Sequence, residues 1–274
     1  LGVDISPVCV QAARAKIAAL TVPLQNLRHE IDEIVGSAHS RASGIETIER
    51  IVPPTVLSRY PDKRNELLSI YLIRTSIEGI EDEDIRDIFL TTLSKVVSQA
   101  VRSKSKVSVP RLFERELEEV WKRVLAFSKL REEIAVTLGK GVVLQGDARR
   151  LILPEESVQG VVTSPPYSTA VDYVKNDLPI LETIHSVDVE KLERDMMGNT
   201  RFRDDEQELL DHIRNKEDQF KRMPQEAQEK VTDLLSHDRK NLALRQYRFL
   251  LDMVIALKEI HRVLEPGCRC VVII

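Results

Sequence analysis

The segment best suited to chemistry is Thr163-Ser-Pro-Pro-Tyr167, which ends an apolar run that starts at Val158. Two successive prolines at the carboxyl end of a strand stop strand pairing and fix a rigid backbone. In open α/β sheets, ligands bind at that edge. The segment alone leaves two interpretations open: a ligand-binding turn, or a plain strand terminus like the one expected at Pro53-Pro54.

Two acidic residues also lie in or at the end of short apolar runs that are predicted to be strands. Asp4 lies in the short apolar run Leu1–Ile5, and Asp147 ends the run that starts at Gly141. Each carboxylate could cap a following helix or bind a ligand. Because Ser6-Pro7 is the better N-terminal cap for the first helix, ligand binding is favoured for Asp4. For Asp147 both interpretations stay open, with ligand binding preferred.

Composition narrows the classes of protein to which the chain can belong. Its 274 residues have a formal net charge of -4, with 42% hydrophobic and 31% charged residues, which is typical of a globular protein. Any contact with nucleic acid must therefore come from a local basic patch. No apolar run approaches the roughly 20 residues that span a bilayer, so we expect no membrane partner. The three cysteines form no disulfide framework, so we expect a cytoplasmic protein.

The cysteines provide no catalytic or metal-binding pattern. Cys9, Cys268 and Cys270 do not form a disulfide framework. The last two stand two positions apart on a predicted strand and lack further ligands at zinc spacing. We therefore predict that these two thiols are buried and that there is no metal site.

Strand patterns that alternate with helical ones predict a parallel α/β sheet that positions these residues. Long helical patterns interrupt this alternation twice, and the first block is too long for an ordinary connection. Pro224 interrupts the second block. The predicted domains are a core formed by 1–23, 141–187 and 241–274, a helical insertion over 24–140, and a second helical insertion over 188–240 as a candidate target-recognition element.

Four patches, in the expected order, resemble the S-adenosylmethionine-dependent amino-methyltransferases of DNA. Ser164–Tyr167 is similar to their signature, which is Asp, Asn or Ser followed by Pro-Pro and Tyr, Phe or Trp. Gly2–Pro7 resembles their second strand, Gln145–Ala148 the third, and Ile260–Gly267 the helix that leads into the fifth. Outside these patches the resemblance is loose.

The resemblance implies S-adenosylmethionine as cofactor. The acidic residue of the second strand binds the cofactor ribose in this family, and the aspartate of the third lies by the adenine, beside which a small alanine leaves room for the flat ring. The cofactor-binding residues implied are Asp4, Ile5, Asp147, Ala148 and Thr163.

The resemblance also implies a catalytic group, Ser164, Pro165, Pro166 and Tyr167. The Ser164 hydroxyl and the Pro165 carbonyl would accept hydrogen bonds from an exocyclic amine and steer its lone pair toward the sulfonium methyl. Tyr167 would stack on a flipped base, unless it is a core tyrosine. Arg201 and Phe202, in a glycine-containing loop, are candidate DNA contacts.

The expected reaction is therefore methylation of DNA, at cytosine N4 ahead of adenine N6 because Ser replaces Asp or Asn in the signature. Methylation at cytosine C5 is set aside, because that family presents its thiolate in a Pro-Cys pair and no cysteine here follows a proline. Two alternatives remain open: an RNA amino-methyltransferase, and a non-catalytic, degenerate methyltransferase that serves as an interaction module.

The fold implied is a Rossmann-like methyltransferase core, α/β in class, that lacks its first strand and final hairpin and carries large α-helical insertions. The family's glycine-rich turn belongs to that first strand, so we expect a truncated product or one piece of a split enzyme. A complementary polypeptide that supplies the glycine-rich strand is an expected partner. Because the first strand lies between the second and the fourth, its absence predicts a gap in the sheet.

Three basic clusters form the remaining pattern, near residues 102–111, 201–203 and 239–248. Each is interleaved with acidic residues or followed by them. Solvated helix faces are therefore the preferred interpretation.

Overall fold

The structure, a computed structural model, describes residues 1–40, 48–135, 137–167, 172–198 and 206–273. These residues are mostly helical, with a few short parallel strands. None of their helices combines the length and the apolar character needed to cross a membrane. Arg201 and Phe202, the candidate DNA contacts, lie outside the described residues.

The elements alternate as short strands between long helical stretches. The strands are β1 (Gly2–Asp4), β2 (Val143–Gln145), β3 (Val158–Thr163) and β4 (Leu264–Val272). The helices are α1 (Pro7–Thr21), α2 (Leu24–Ser40), α3 (Pro54–Arg59), α4 (Arg64–Glu78), α5 (Glu83–Arg102), α6 (Val109–Ile134), α7 (Tyr173–Ile180), α8 (Val189–Asp195), α9 (Glu206–Arg214), α10 (Asp218–Lys221), α11 (Gln225–Ser236) and α12 (Lys240–Val263). Short 3-10 turns cover Ile48–Arg50 and Pro61–Lys63, and a π-helix covers Leu181–His185.

The four strands pair as β1 with β2 and β3 with β4, in two separate two-stranded sheets. Along β1 and β2 the hydrogen bonds advance in the same direction, from Gly2 N–H to the Val142 carbonyl (2.8 Å) and from Gly146 N–H to the Asp4 carbonyl (2.9 Å). β3 and β4 are also parallel, from Gly160 opposite Arg269 to Thr163 opposite Val272. The α/β class expected from the sequence therefore holds at this coarse level.

The start of β4 differs from the sequence-based expectation. The resemblance placed all of Ile260–Gly267 before the last strand, but strand pairing already includes Leu264, opposite Val158. The register shifts before the next pair, Gly160 with Arg269. Pro266 and Gly267 therefore lie within an irregularity of the strand. Gly267 has a φ of 81°, which is where a glycine relieves the local strain.

The described residues divide into two compact units. Unit 1 comprises Leu1–Gly2, Ser6–Leu144 and Asp177–Val187, and unit 2 comprises Val3–Ile5, Gln145–Asn176 and Asp188–Ile274. Unit 1 therefore contains α1–α6 and the π-helix, whereas unit 2 contains α8–α12, β3 and β4.

Unit 1 is a helical body built around α5. The N-terminal cap of α5 is Asp82, whose side chain accepts hydrogen bonds from the backbone N–H groups of Asp84 and Ile85. The apolar residues of α5 recur at helical spacing and form a buried stripe in the core: Ile85, Ile88, Phe89, Leu93, Val96, Val97 and Ala100. α1, α4 and α6 pack against this helix.

Unit 2 has its own, smaller core. It is formed by side chains of α9, α10, α11 and the first half of α12. Pro224 stands before α11, as the break predicted from the sequence requires. Tyr247 is fully buried there, with the Phe220 ring packed against it at 5.8 Å between ring centroids. The opposite end of α12 leads directly into β4, so this helix joins the small core to the β3–β4 pair.

Candidate functional site

The first part of the candidate site is the carboxyl end of β1. Asp4 is the last residue of the strand and is exposed to solvent. Ser6 is the N-terminal cap of α1, because its hydroxyl accepts the N–H of Cys9 at 3.4 Å and Pro7 occupies the first turn. The predicted helix cap at Ser6 is confirmed.

Strand pairing brings the carboxyl end of β2 to the same place. Gly146 N–H donates to the Asp4 carbonyl, and the Gln145 side-chain amide donates to the Ile5 carbonyl at 3.3 Å. A side chain at Gly146 would meet Val3, since an added Cβ would lie 3.1 Å from the Val3 Cγ1 atom. A larger residue at this position would need the Val3 side chain to shift by a few tenths of an ångström, and Asp147 follows immediately.

Asp147 does not cap a helix, since the residues after it form a turn. Its carboxylate instead accepts a hydrogen bond from the Arg149 backbone N–H at 2.9 Å and binds the Arg149 guanidinium through both oxygens, at 2.6–3.1 Å. A bidentate pair of this kind fixes the plane of the carboxylate. The orientation of Asp147 is therefore set by Arg149.

Arg149 is itself held by a buried acid on α12. Its side chain is 8% exposed and lies 2.8 Å from Asp252, which is 2% exposed and also pairs with Arg248 at 3.1 Å. Burial lowers the pKa of Arg149, but the two carboxylates of Asp252 and Asp147 outweigh it and leave that pKa raised. The guanidinium stays charged and connects the turn after β2 to α12.

Sequence reasoning missed this Asp252–Arg149–Asp147 network. Arg149 stands two residues after Asp147 and was visible as part of a possible helix cap, but nothing local identifies its partner. The one available pattern is that Asp252 lies within the apolar stretch Leu250–Ala256 of α12, four residues after Arg248. A buried acid is rarely left without a cation.

The second part of the candidate site is the carboxyl end of β3. Thr163 is the last residue of the strand, and its carbonyl accepts the N–H of Ile273 at 2.9 Å. Ser164 is exposed, Pro165 and Pro166 are half-buried, and no regular element includes them. The Pro-Pro pair therefore ends the strand and starts an irregular segment at its carboxyl end, as predicted.

Tyr167 closes this segment with its ring toward solvent. Tyr167 is 52% exposed, and its backbone N–H donates to the hydroxyl of Tyr173 at 3.3 Å. Tyr173 is the first residue of α7, so this bond ties the end of the Ser164–Tyr167 segment to the next helix. The alternative that Tyr167 is a core tyrosine does not hold.

The predicted burial of Cys268 and Cys270 is wrong. Cys270 is exposed and Cys268 is only partly buried. The reason lies in the two-stranded sheet, where β4 has a single neighbour and most of its residues face solvent. Among the described residues there is no group of three His, Cys, Asp or Glu side chains that could hold a metal ion.

Comparison with protein-family models, curated proteins and solved structures gave no match. The geometry described above is therefore the basis for any functional interpretation.

Proposed function

We propose that this chain forms the core of a cytoplasmic, S-adenosylmethionine-dependent methyltransferase that modifies an exocyclic amino group in DNA, cytosine N4 ahead of adenine N6. The observation that carries the proposal is the position of Ser164–Tyr167, directly after the carboxyl end of the parallel strand β3. An exposed hydroxyl, a fixed carbonyl and an exposed aromatic ring are the groups that a flipped base requires.

The described residues fit the adenosine half of the cofactor. Asp4 and Asp147 lie at one edge, because Gly146 binds the Asp4 carbonyl directly. An exposed carboxylate at Asp4 would accept hydrogen bonds from ribose hydroxyls, as acidic residues do at the corresponding place in dinucleotide-binding folds. Ala148 would leave room for the adenine beside Asp147, and Ile5 and Thr163 would complete the contacts.

The bound cofactor would supply an electrophilic methyl group, and this chain's residues would prepare the amine. The lone pair of an exocyclic amine is conjugated into the base ring, which makes the amine a poor nucleophile. The Ser164 hydroxyl and the Pro165 carbonyl would accept its two N–H groups and hold the lone pair in line for attack. Pro166 would keep that carbonyl fixed, and Tyr167 would stack on the base with about 1–3 kcal/mol.

We also propose that the two strand pairs belong to one Rossmann-like core. In the strand order 3-2-1-4-5, the second strand neighbours the third and the fourth neighbours the fifth. The pairs β1–β2 and β3–β4 are the neighbours expected when β1 is the second strand of that order. A glycine-rich strand from a complementary polypeptide would then fit between β1 and β3 and provide the methionine half of the cofactor site.

The test is calorimetric titration of S-adenosylmethionine into the chain, alone and with a version extended by a glycine-rich strand, followed by methyl transfer to DNA. Asp4→Asn should weaken binding, whereas Asp233→Asn, an exposed acid on α11, should not. If neither form binds the cofactor, the methyltransferase proposal fails.

The catalytic segment is tested separately by product analysis on DNA and on RNA. Ser164→Ala should abolish product with cofactor affinity retained. Ser157→Ala provides the matched control, since that hydroxyl precedes β3 and donates to the nearby Pro154 carbonyl, at 2.8 Å. Methyl-cytosine in DNA supports the proposal. Product in RNA alone would replace it with the RNA enzyme, and cofactor binding without any product would favour a non-catalytic module.

A further inference from the structure

The charges of unit 1 are distributed unevenly along the chain. From Ile88 to Phe113 there is no Asp or Glu, although the whole chain carries a formal net charge of -4. The cations in this stretch are Lys95, Arg102, Lys104, Lys106 and Arg111. The last four lie where α5 ends and α6 begins: Arg102 is the last residue of α5, Lys104 and Lys106 lie in the connection, and Arg111 is in the first turn of α6. We call residues 102–111 the basic turn.

The charged groups of the basic turn face solvent. Arg102, Lys104, Lys106 and Arg111 are all exposed. No ion pair between described residues involves Lys104, Lys106 or Arg111. Surface cations in a protein with excess acid are usually interleaved with carboxylates, so three unpaired cations within eight positions form a local positive patch.

The backbone of the basic turn is held in one conformation. The Lys63 ammonium donates to the Ser103 carbonyl at 2.7 Å and to the Ser105 carbonyl at 3.3 Å. The Ser105 N–H donates to the Ser103 hydroxyl at 3.2 Å, and Val107 N–H donates to Glu66 at 3.4 Å. The exposed cations thus project from an ordered backbone, which lowers the entropy lost when a ligand binds.

Two acids interact with residues of the basic turn, Glu66 with Val107 and Asp177 with Arg102, and neither cancels its exposed charge. Glu66 lies beneath it at 5% exposure and is compensated by Lys63 at 3.8 Å. Asp177 interacts with Arg102, but burial raises the pKa of the Asp177 carboxyl more than Arg102 lowers it. Lys95 already pairs with Glu116, so it does not contribute to the patch.

We propose that the basic turn binds the phosphate backbone of duplex DNA. Lysine and arginine contacts to phosphate supply affinity without reading sequence, and hydroxyls such as those of Ser103 and Ser105 are common additional donors. The choice of DNA rests on the proposed methyltransferase function, whereas binding to phosphate follows from the charge and order of the turn. The basic cluster at 102–111 is then a binding surface and not the solvated helix face expected from the sequence.

The test is fluorescence anisotropy of a labelled short duplex with the full chain, over a series of salt concentrations and without cofactor. The affinity should fall steeply with salt, because bound phosphates release counterions. The triple variant Lys104→Gln/Lys106→Gln/Arg111→Gln should make the slope of log K against log salt shallower by about 2.7, if each cation contacts one phosphate. Each single variant should reduce that slope by about 0.9.

The matched control is Lys122→Gln/Arg123→Gln/Lys129→Gln, which removes the same charge from the exposed face of α6. Its salt slope should equal that of the parent. Both triple variants should keep the parent's far-UV circular dichroism, because all six side chains are exposed.

Three outcomes would overturn this proposal: a parent that does not bind duplex DNA at low salt, equal losses in both triple variants, or equally strong, equally salt-dependent binding of poly-glutamate in competition. These outcomes are separate from those of the cofactor titration. A chain that binds cofactor but not DNA would disprove only the phosphate surface, and a chain that binds DNA but not cofactor would disprove only the methyltransferase.

Discussion

Asp252 is the buried acid of the Asp252–Arg149–Asp147 network at the candidate site. Its carboxylate compensates Arg149 and Arg248 from a position that is 2% exposed. We predict that Asp252→Asn lowers the free energy of unfolding by about 3–5 kcal/mol, because the Arg149 guanidinium would stay buried with one carboxylate removed. Denaturant unfolding followed by far-UV circular dichroism measures the change.

The control for this prediction is an exposed ion pair. Asp32→Asn removes a carboxylate that pairs with Arg28 on the surface of α2, and exposed pairs contribute little to stability. Similar denaturation midpoints for the Asp252 and Asp32 variants would mean that Arg149 does not need its partner.

Tyr247 contrasts with Asp252, because its polar side-chain atom, the hydroxyl, is buried but forms no hydrogen bond with the described residues. We predict that Tyr247→Phe stabilises the protein by about 1 kcal/mol at neutral pH, because it removes an unsatisfied buried group and keeps the ring. Denaturant unfolding of parent and variant measures the difference, and a loss of stability would indicate a partner for the hydroxyl.

Tyr247 also gives the stability a dependence on alkaline pH. Burial, with the charge of Glu217, raises the pKa of Tyr247 to about 12, against about 10 in an unfolded chain. Because the folded state favours the neutral phenol, this contribution is fully present below pH ~10 and is lost as the pH rises to ~12. The stability advantage of Tyr247→Phe should therefore grow over that range, and an advantage that stays constant with pH would contradict the shift.

At the residue scale, the sequence predicts interactions that are local. Ser6 as the cap of α1 needed only the neighbouring Pro7, and it is confirmed. The contact of Arg149 with Asp252 joins residues about a hundred positions apart, so no local pattern contains it. The exposure of Cys270 depends on how many neighbours its strand has, which is a property of the sheet.

At the scale of elements, the same dipeptide has two outcomes in this chain. Pro165-Pro166 follows β3 and ends it, whereas Pro53-Pro54, which we expected to end a strand, starts the helix α3. Proline is favoured in the first turn of a helix because its missing N–H is not needed there. After Pro54 the chain continues as a helix to Arg59, whereas Tyr167, which follows Pro166, belongs to no regular element.

The β3–β4 pair leaves apolar side chains in solvent. Val162 is 72% exposed and its cross-strand partner Val271 is 51% exposed. We predict that Val162→Thr/Val271→Thr changes the free energy of unfolding by less than about 1 kcal/mol, because neither side chain loses a core contact. The variant should bind less of an apolar dye such as anilinonaphthalene sulfonate, which reports exposed hydrophobic surface.

The matched control is Val96→Thr, the same exchange at a residue of α5 that is fully buried. It should destabilise the protein clearly, because it places a hydroxyl in the core. A large loss of stability in the β3–β4 variant would contradict the exposure of that surface.

At the scale of the whole molecule, much of the order of the elements along the chain could be predicted from the sequence, but their grouping into two units could not. The strands at 143–145 and 158–163, the helical block before them and the long helix before β4 all follow from periodicity and Pro or Gly breaks. The grouping could not, because it depends on packing: α1 follows a strand, yet it packs against α5 in unit 1. A helix's partner is set by its buried face and not by its neighbour in sequence.

Each unit has a hydrophobic core of its own, which predicts separate unfolding transitions. Trp121, the single tryptophan, lies on α6 of unit 1, so its fluorescence follows that unit, whereas far-UV circular dichroism follows the helices of both. The two probes should therefore give transitions that do not coincide. Asp252→Asn should move the dichroism transition and leave the Trp121 midpoint unchanged.

A variant in the core of unit 1 completes this last prediction. Leu93→Ala removes a fully buried side chain of α5, at a cost of about 2–5 kcal/mol, and should lower the Trp121 midpoint. If Asp252→Asn lowers that midpoint equally, the two units unfold as one cooperative body. The chain leaves and re-enters each unit several times, so such coupling would mean that these crossings transmit the loss of a buried charge in unit 2 to the helical core of unit 1.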